Sequence, residues 1–485
     1  MRSLLAVLHV LGALLALFAL YFLLPVITAL VYRERAVVEF LLAAGITLAT
    51  GALLWLATRP FRSELKPRDA YLLVTLGWLV IGAAATLPLL MQVPGLSFTG
   101  AFFETMSGLT TTGATVLSGL DALPHAINLW RHALHWLGGM GIIVLAVAVL
   151  PLLGVGGMQM YRSEAPGAVK DAKLTPRITE TARILWFVYA GITAVCVVAL
   201  MLAGMSPFDA ICHAFSVVSL GGFSTHDANI AWFASPRIEF VLMLFMMLAA
   251  VNFASHFVAI RRGDLSVYRR DPEARWTWLA MLAGVVIVSV FIWSAGTYAS
   301  FGAALRHGAF AAISMASTTG FVSADFGAWP VFAPIVLLFL SSVCCSTGSP
   351  GGGIKMFRSL VLVKQSLREM FTLVHPQAVR PLKIDSGVVP NRVAWSVLAF
   401  IFLYFSLIMV LIFALLASGL DFVSAATAVI ACVNNTGPGL GALGPTHSYA
   451  ALTDFQTWVC TVAMIVGRVE ILTVLVLFTP AFWRK

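Results

Sequence analysis

Apolar residues in this chain run almost unbroken for 20 positions or more, and short polar stretches rich in Arg, Lys, Gly and Pro divide one run from the next. A run of about 20 apolar residues is what an α-helix needs to cross the hydrocarbon core of a bilayer. Such runs fall at Leu4–Val31, Val37–Thr58, Ala70–Gln92, Asn128–Leu153, Ile184–Gly204, Ile238–Ile260, Trp276–Thr297, Val331–Val343, Val393–Ala417 and Phe455–Phe478. The pattern predicts an all-α polytopic membrane protein with ten spans, the eighth of them short. The first run continues to Val31 without a clean small-residue cleavage site, so it is read as a retained span and not as a signal peptide.

Between the spans lie four segments that resemble one another when aligned on a glycine. They read Ser107-Gly-Leu-Thr-Thr-Thr-Gly113, Ser216-Val-Val-Ser-Leu-Gly-Gly222, Ser314-Met-Ala-Ser-Thr-Thr-Gly320 and Ala431-Cys-Val-Asn-Asn-Thr-Gly437. The apolar stretches leading into them, Phe98–Leu109, Phe208–Val218, Ala304–Ala316 and Phe422–Val433, are too short to cross a bilayer and must turn back within it. Ser97, Asp209 and Asp421 stand where helix N-caps would be for three of these stretches. Non-helical backbone survives at membrane depth only where protein buries it or where it lines a water-filled path. The four tips are therefore expected to converge on a central pore, with the negative ends of the helix dipoles aimed at its centre.

One glycine in a polar loop is usually only a turn, so the inference rests on its fourfold recurrence. The chain reads as two extra helices at 1–69, then pore repeats at 70–160, 161–262 (with a cytoplasmic loop), 263–380 and 381–485. A dehydrated alkali cation needs several oxygen ligands, and rings of backbone carbonyls supply them where glycine allows positive φ. The expected ligands are Thr111, Thr112, Gly113; Leu220, Gly221, Gly222; Thr318, Thr319, Gly320; and Asn435, Thr436, Gly437.

Charge orients the chain. Alternating sides at each span places 24 of the 30 Lys and Arg residues on the side that holds both termini, so the positive-inside rule makes that side cytoplasmic. Acids including Glu34, Glu104, Asp121, Asp209, Asp227 and Glu239 fall on the other side, where a negative vestibule concentrates cations. Cys196, Cys212, Cys344, Cys345, Cys432 and Cys460 lack metal-ligand spacing and read as packing residues. His132 and His135 are a lone HxxH pair with no further ligand, so no zinc site is expected. No acid pair or nucleophile–base constellation suggests an enzyme, and nothing suggests nucleic-acid binding.

Several longer stretches carry a resemblance. They are Ala101-Phe-Phe-Glu-Thr, Leu109-Thr-Thr-Thr-Gly-Ala-Thr-Val116, Trp136-Leu-Gly-Gly-Met-Gly-Ile-Ile-Val-Leu-Ala-Val147, Pro166-Gly-Ala-Val-Lys-Asp with Thr175-Pro-Arg, Gly221-Gly-Phe-Ser-Thr-His-Asp227, Asn434-Asn-Thr-Gly-Pro-Gly-Leu-Gly441 and Gly467-Arg-Val-Glu470. The chain resembles the Trk/Ktr/HKT superfamily of potassium transporters, and within it most closely the bacterial TrkH branch. The resemblance implies potassium, and also rubidium, passing a single-glycine selectivity filter in each protomer of a homodimer in the bacterial inner membrane. It also implies a cytoplasmic ring of TrkA-type regulatory subunits that bind the nucleotide, ATP/ADP or NAD. This chain itself has no G-x-G-x-x-G after a strand and no phosphate-binding lysine loop. The basic segments Arg261–Arg275 and Lys355–Arg392 are the expected docking surface.

Cys344-Cys-Ser-Thr-Gly-Ser-Pro-Gly-Gly-Gly353 interrupts the second span of the third repeat, because so dense a group of Gly, Ser and Pro cannot stay helical. In the family the equivalent break is a loop beneath the filter that obstructs ions, which makes Gly348, Gly351, Gly352 and Gly353 gate residues here. Where family members carry a further Gly or Thr this chain has Pro350, which implies a stiffer loop. Arg468, deep in the last span, needs a cavity or a partner and is expected to project under the filter, bond loop carbonyls and raise a barrier to cations. Pairing with Glu470 is the other option, although positions two apart do not share a helix face. A secondary transporter coupling potassium to sodium or protons, as in symport, also uses broken helices. Carriers usually show inverted repeats and coupling carboxylates, whereas these repeats run parallel.

Overall fold

The computed structural model describes residues 2–61, 65–141, 178–385 and 387–484. The stretches 142–147, 166–171 and 175–177 of the resemblance, the basic residues between 162 and 177, and the second half of the expected fourth span lie outside these residues.

The described chain is helical apart from one antiparallel hairpin, Lys383–Ile384 (β1) with Gly387–Val388 (β2). The N-terminal part comprises α1 (Arg2–Phe18), α2 (Leu23–Val31) and α3 (Val37–Thr58). Here α1 and α3 cross closely at Gly12 and Gly51, where a Cβ on Gly12 would stand 2.6 Å from the Trp55 nitrogen. Small residues at a crossing let two backbones approach where lipid offers no hydrophobic drive.

Four units then follow the same plan. The first has α4 (Pro67–Ala85), the short α5 (Leu87–Gln92), the pore helix α6 (Phe98–Leu109) and α7 (His125–Gly139). The second has α8 (Ile178–Leu202), pore helix α9 (Pro207–Val218) and the pair α10 (Pro236–Ala249) and α11 (Phe253–Arg262). After α12 (Ser266–Arg270), the third has α13 (Pro272–Ser294), pore helix α14 (Phe301–Ala316), α15 (Phe332–Val343) and α16 (Met356–Val374). The fourth has α17 (Asn391–Ala417), pore helix α18 (Phe422–Val433), α19 (Asp454–Val469) and α20 (Ile471–Leu475), before a terminal turn α21 (Pro480–Trp483).

Among the described residues, six helices are long and apolar enough to span a bilayer, and two bent helix pairs bring the number to eight. The other two expected spans are that of α7, which ends at Gly139 shortly before the described stretch does, and that of the 12-residue α15. The sequence predicts straight spans at Ile238–Ile260 and Phe455–Phe478, but the structure bends them by 96° between α10 and α11 and by 108° between α19 and the segment from Ile471. The second bend is made by Glu470, a non-glycine residue with φ 70°.

Each pore helix starts from a serine or aspartate cap. Ser97, Ser300 and Asp421 accept the backbone N–H three residues on, and in the second unit this role falls to Ser206, not to the expected Asp209. Asp209 sits at the third helical position, where its carboxylate accepts from the Ser206 hydroxyl at 2.7 Å. Three of these helices have 12 residues and α14 has 16, lengths of about 18 and 24 Å, so all four are shorter than the bilayer core and end inside it.

Candidate functional site

All four pore helices end in the same way. The residue after the cap turns into the left-handed region at Thr111 (φ 55°), Leu220 (57°), Thr318 (59°) and Asn435 (53°). Two backbone bonds close each turn. In the first unit Thr111 N–H donates to Gly108 at 3.1 Å and Thr112 N–H to Ser107 at 2.9 Å, and the same pair recurs from Leu220 and Gly221, Thr318 and Thr319, and Asn435 and Thr436. This is a Schellman cap, usually made with glycine at the left-handed position. Here Thr, Leu, Thr and Asn occupy it, at a cost on the order of 1 kcal/mol each for the first three. The glycines stand two residues later, and they also have positive φ: Gly113 (80°), Gly222 (81°), Gly320 (77°) and Gly437 (91°).

The four tips close a ring. A Cβ built on Gly113 would land on the Gly221 carbonyl oxygen, one on Gly222 on the Thr319 oxygen, one on Gly320 on the Thr436 oxygen, and one on Gly437 2.6 Å from the Thr112 oxygen. Each glycine therefore faces the carbonyl that precedes the next unit's glycine, in the order first, second, third, fourth and back to first. The twelve residues expected as ligands are brought together here, with Thr111, Thr112, Leu220, Thr318, Thr319, Asn435 and Thr436 all buried. The arrangement needs glycine twice over, for its positive φ and because no side chain fits between Cα and the neighbouring oxygen.

Buried polar groups brace the ring from behind. Arg131 and Glu104, at 1% and 0% side-chain exposure, pair at 2.8 Å. Glu104 also accepts from the Thr115 hydroxyl and the Val116 N–H, while Arg131 donates to the Ser224 carbonyl at 3.2 Å and covers the face of Phe223. The charge pattern places both on the outer face, but the structure buries them as an ion pair, which the bond from Arg131 to Ser224 ties to the second unit. His135 stacks on Phe223 and lies against Gly221, and His132 bonds the Phe223 carbonyl. The Asn435 amide donates to the Thr112 hydroxyl at 3.0 Å, linking the fourth unit to the first. An ionised pair inside an apolar stretch was the available sequence signal for Glu104 and Arg131.

Beneath the ring is a cavity of about 210 Å³ lined by residues such as Gly139, Asn252, Gly351, Lys355, Arg468 and Glu470. At this level the helix α7 ends, at Gly139, and the corresponding helices of the other three units break, at 250–252, at 344–355 and at Glu470. The break at 344–355 crosses under the ring. Its Cys345 thiol donates to the Ser317 carbonyl at 3.2 Å, and its Gly352 N–H donates to the Thr318 hydroxyl at 3.0 Å. Gly352 lies against the Asn434 carbonyl, Gly351 against the Cys345 thiol, Gly348 against the Asn252 amide, and Gly353 against the Ser341 and Ser342 carbonyls.

Charged groups hold this segment at both ends. Arg468 donates to the Pro350 carbonyl, and also to the Gly138 carbonyl at 2.6 Å and the Gly139 carbonyl at 3.2 Å. Lys355 donates to the Gly351 and Ser349 carbonyls, and the Glu273 carboxylate accepts from Thr347 N–H at 2.6 Å. Glu470 pairs with Arg358 at 2.9 Å, so it is not the partner of Arg468. Sequence reasoning missed Lys355, Glu273 and Asn252 as residues holding the loop. Their placement depends on contacts between units that no local pattern encodes.

Four short helices ending on one carbonyl ring, with a broken segment beneath, define a polytopic helical membrane transport protein. The family model described as TrkH, cation transport protein, matches residues 37–485. The chain belongs to this TrkH family, whose members are transporters and not enzymes. It is 46% identical over 484 residues to the Trk system potassium uptake protein TrkH of Halomonas elongata, with 100% of both chains covered. It is 43% identical to the protein of the same name from Escherichia coli, with 99% of both covered. The crystal structure of the potassium transporter TrkH from Vibrio parahaemolyticus superimposes with a TM-score of 0.89 at 42% identity, covering 100% of this chain and 99% of that one.

Proposed function

We propose that this chain takes up potassium across the inner membrane of a bacterium by letting the ion pass through the ring of Thr111–Gly113, Leu220–Gly222, Thr318–Gly320 and Asn435–Gly437. The observation that carries the reading is the closed order of the ring, in which each glycine meets the next unit's carbonyl. Oxygen rings at the negative ends of four helix dipoles suit a dehydrated monovalent cation. The full-length relatives are named as potassium uptake proteins.

The segment from Cys344 to Gly353 acts as the gate, with Gly348, Gly351, Gly352 and Gly353 allowing close approach and Arg468 holding it across the path. A guanidinium below the ring also repels cations that have passed the filter. Both termini, the basic segment Arg261–Arg275 and the Lys355–Arg392 segment beyond Arg358 face the cytoplasm, whereas Lys355 and Arg358 themselves line the cavity. These segments receive a TrkA-type nucleotide-binding ring, whose nucleotide this chain does not itself hold. Two copies of the chain form a homodimer within membrane lipid. A coupled carrier would need a free carboxylate in the cavity, whereas Glu470, the one acid among its described lining residues, is committed to Arg358.

Rubidium uptake by liposomes containing the purified chain tests the reading. Uptake that potassium suppresses and sodium does not supports it, and uptake that sodium suppresses equally overturns it.

A further inference from the structure

Tyr449 lies outside the ring, on a short turn at Tyr449–Ala451 in the outer loop of the fourth unit, and is 3% exposed. Its hydroxyl donates to the Gly437 carbonyl at 2.8 Å. Its backbone N–H donates to the Thr115 carbonyl, also at 2.8 Å, and Thr115 stands two residues past Gly113. Its ring packs on Phe103 of the first pore helix, with centroids 5.4 Å apart. One residue thus holds the fourth unit's glycine carbonyl and the first unit's outgoing strand together.

Asn229 does the same across the ring, at the seam between the second and third units. Its Nδ2 donates to the Gly222 carbonyl at 3.4 Å, while its Oδ1 accepts from Val322 N–H at 3.2 Å. Val322 stands two residues past Gly320, as Thr115 does past Gly113. Ile230, beside Asn229, adds an N–H bond to the Val322 carbonyl at 3.0 Å. Two opposite seams of a fourfold ring therefore carry one device, built from unrelated side chains.

We propose that Tyr449 is a positioning residue that sets how tightly the outer carbonyl ring holds an ion, and so the preference for potassium over sodium, with Asn229 acting in the same sense on the opposite seam. The inference rests on the filter reading above. Gly437 has no side chain and a φ of 91°, and its carbonyl oxygen accepts from the Tyr449 hydroxyl, so that bond helps to fix the orientation of the carbonyl. Whether a carbonyl ring selects by size or by ligand field, selection weakens when one of its oxygens is free to swing. The phenol fixes that oxygen from the protein wall without entering the ion path.

The test is the potassium-to-sodium permeability ratio of the purified full chain in liposomes, read from reversal potentials, for wild type, Tyr449→Phe and Asn229→Asp. Tyr449→Phe keeps the ring packing and removes only the hydroxyl. Asn229→Asp keeps the acceptor for Val322 and removes the donor to Gly222. A fall of roughly 3- to 10-fold in the ratio, the effect that one lost neutral hydrogen bond supports, is expected for Tyr449→Phe, with rubidium flux retained. An unchanged ratio overturns the inference, including the case where flux or folded yield drops, because that pattern is what a purely structural tyrosine gives. If Tyr449→Phe does not fold, the ratio of Asn229→Asp decides in the same way. A wild-type chain with no preference for potassium overturns the filter reading itself, and is told apart because the failure precedes any substitution.

Discussion

The guanidinium of Arg468, on the fourth unit, donates to the carbonyl of Pro350 in the segment that crosses beneath the ring. Its second terminal nitrogen donates to Gly138 and Gly139 on the first unit, so one side chain fastens the loop to the far wall of the cavity. Charge-assisted bonds of this kind contribute about 1.5–3 kcal/mol each. Arg468→Ala is therefore expected to raise rubidium flux into liposomes by about tenfold or more, through loss of both the tether and the positive charge. Unchanged flux from folded protein counts against the gate.

Lys355 binds the same loop from its own end, through the Gly351 and Ser349 carbonyls. Lys355→Met should also raise flux, but by less, because Arg468 still holds Pro350. The two substitutions act on one element and should not add: the double variant is expected to fall short of the product of the single effects. Strictly multiplicative fluxes would mean that the two cations act on separate barriers.

The filter glycines should not tolerate a side chain. At Gly320 an added Cβ would meet the Thr436 oxygen at a φ of 77°, so Gly320→Ala should lower potassium selectivity and flux together. Gly302, at the start of the same pore helix, has nothing within 4 Å of its Cβ position. Gly302→Ala should leave flux unchanged and stabilise the helix by about 0.5–1 kcal/mol. The paired comparison separates the ring from glycine content in general.

Glu104 and Arg131 form the most enclosed ion pair among the described residues. Removing one partner of such a pair leaves a buried charge uncompensated, so Glu104→Gln is expected to cost about 3–5 kcal/mol. Replacing both, as Glu104→Leu with Arg131→Met, should cost less than the single change. Thermal unfolding in detergent reads the difference, and a double variant whose loss equals the sum of the two single losses would show that the pair is not coupled.

Much of the fold is legible in the sequence because a bilayer leaves few options: long apolar runs must be helices, and 12-residue runs between them must turn back. The bounds Phe98–Leu109 and Phe422–Val433 follow from length and flanking caps alone, and both coincide with helices. What stays hidden depends on neighbours distant in sequence. Thr111, Leu220 and Thr318 take left-handed backbone that none of them favours, held there by two backbone bonds and the adjoining units. Glu470, at the bend, pairs with Arg358, which is 112 residues earlier. Ser206 displaces Asp209 as a cap because Pro207 fixes the first helical turn one residue earlier than hydropathy suggests. Glu104 and Arg131 look like outer charges until the pore helix and its partner helix are packed together.

The most direct measurement is the reversal potential of the purified chain in liposomes under opposing gradients of potassium, sodium and protons. A channel-like ring predicts a potential dominated by the potassium gradient, shifted by sodium only as its small permeability allows, and indifferent to pH. A potential that shifts with the proton gradient, or with sodium in a fixed stoichiometric proportion to potassium, would contradict it, and would make the chain a coupled carrier.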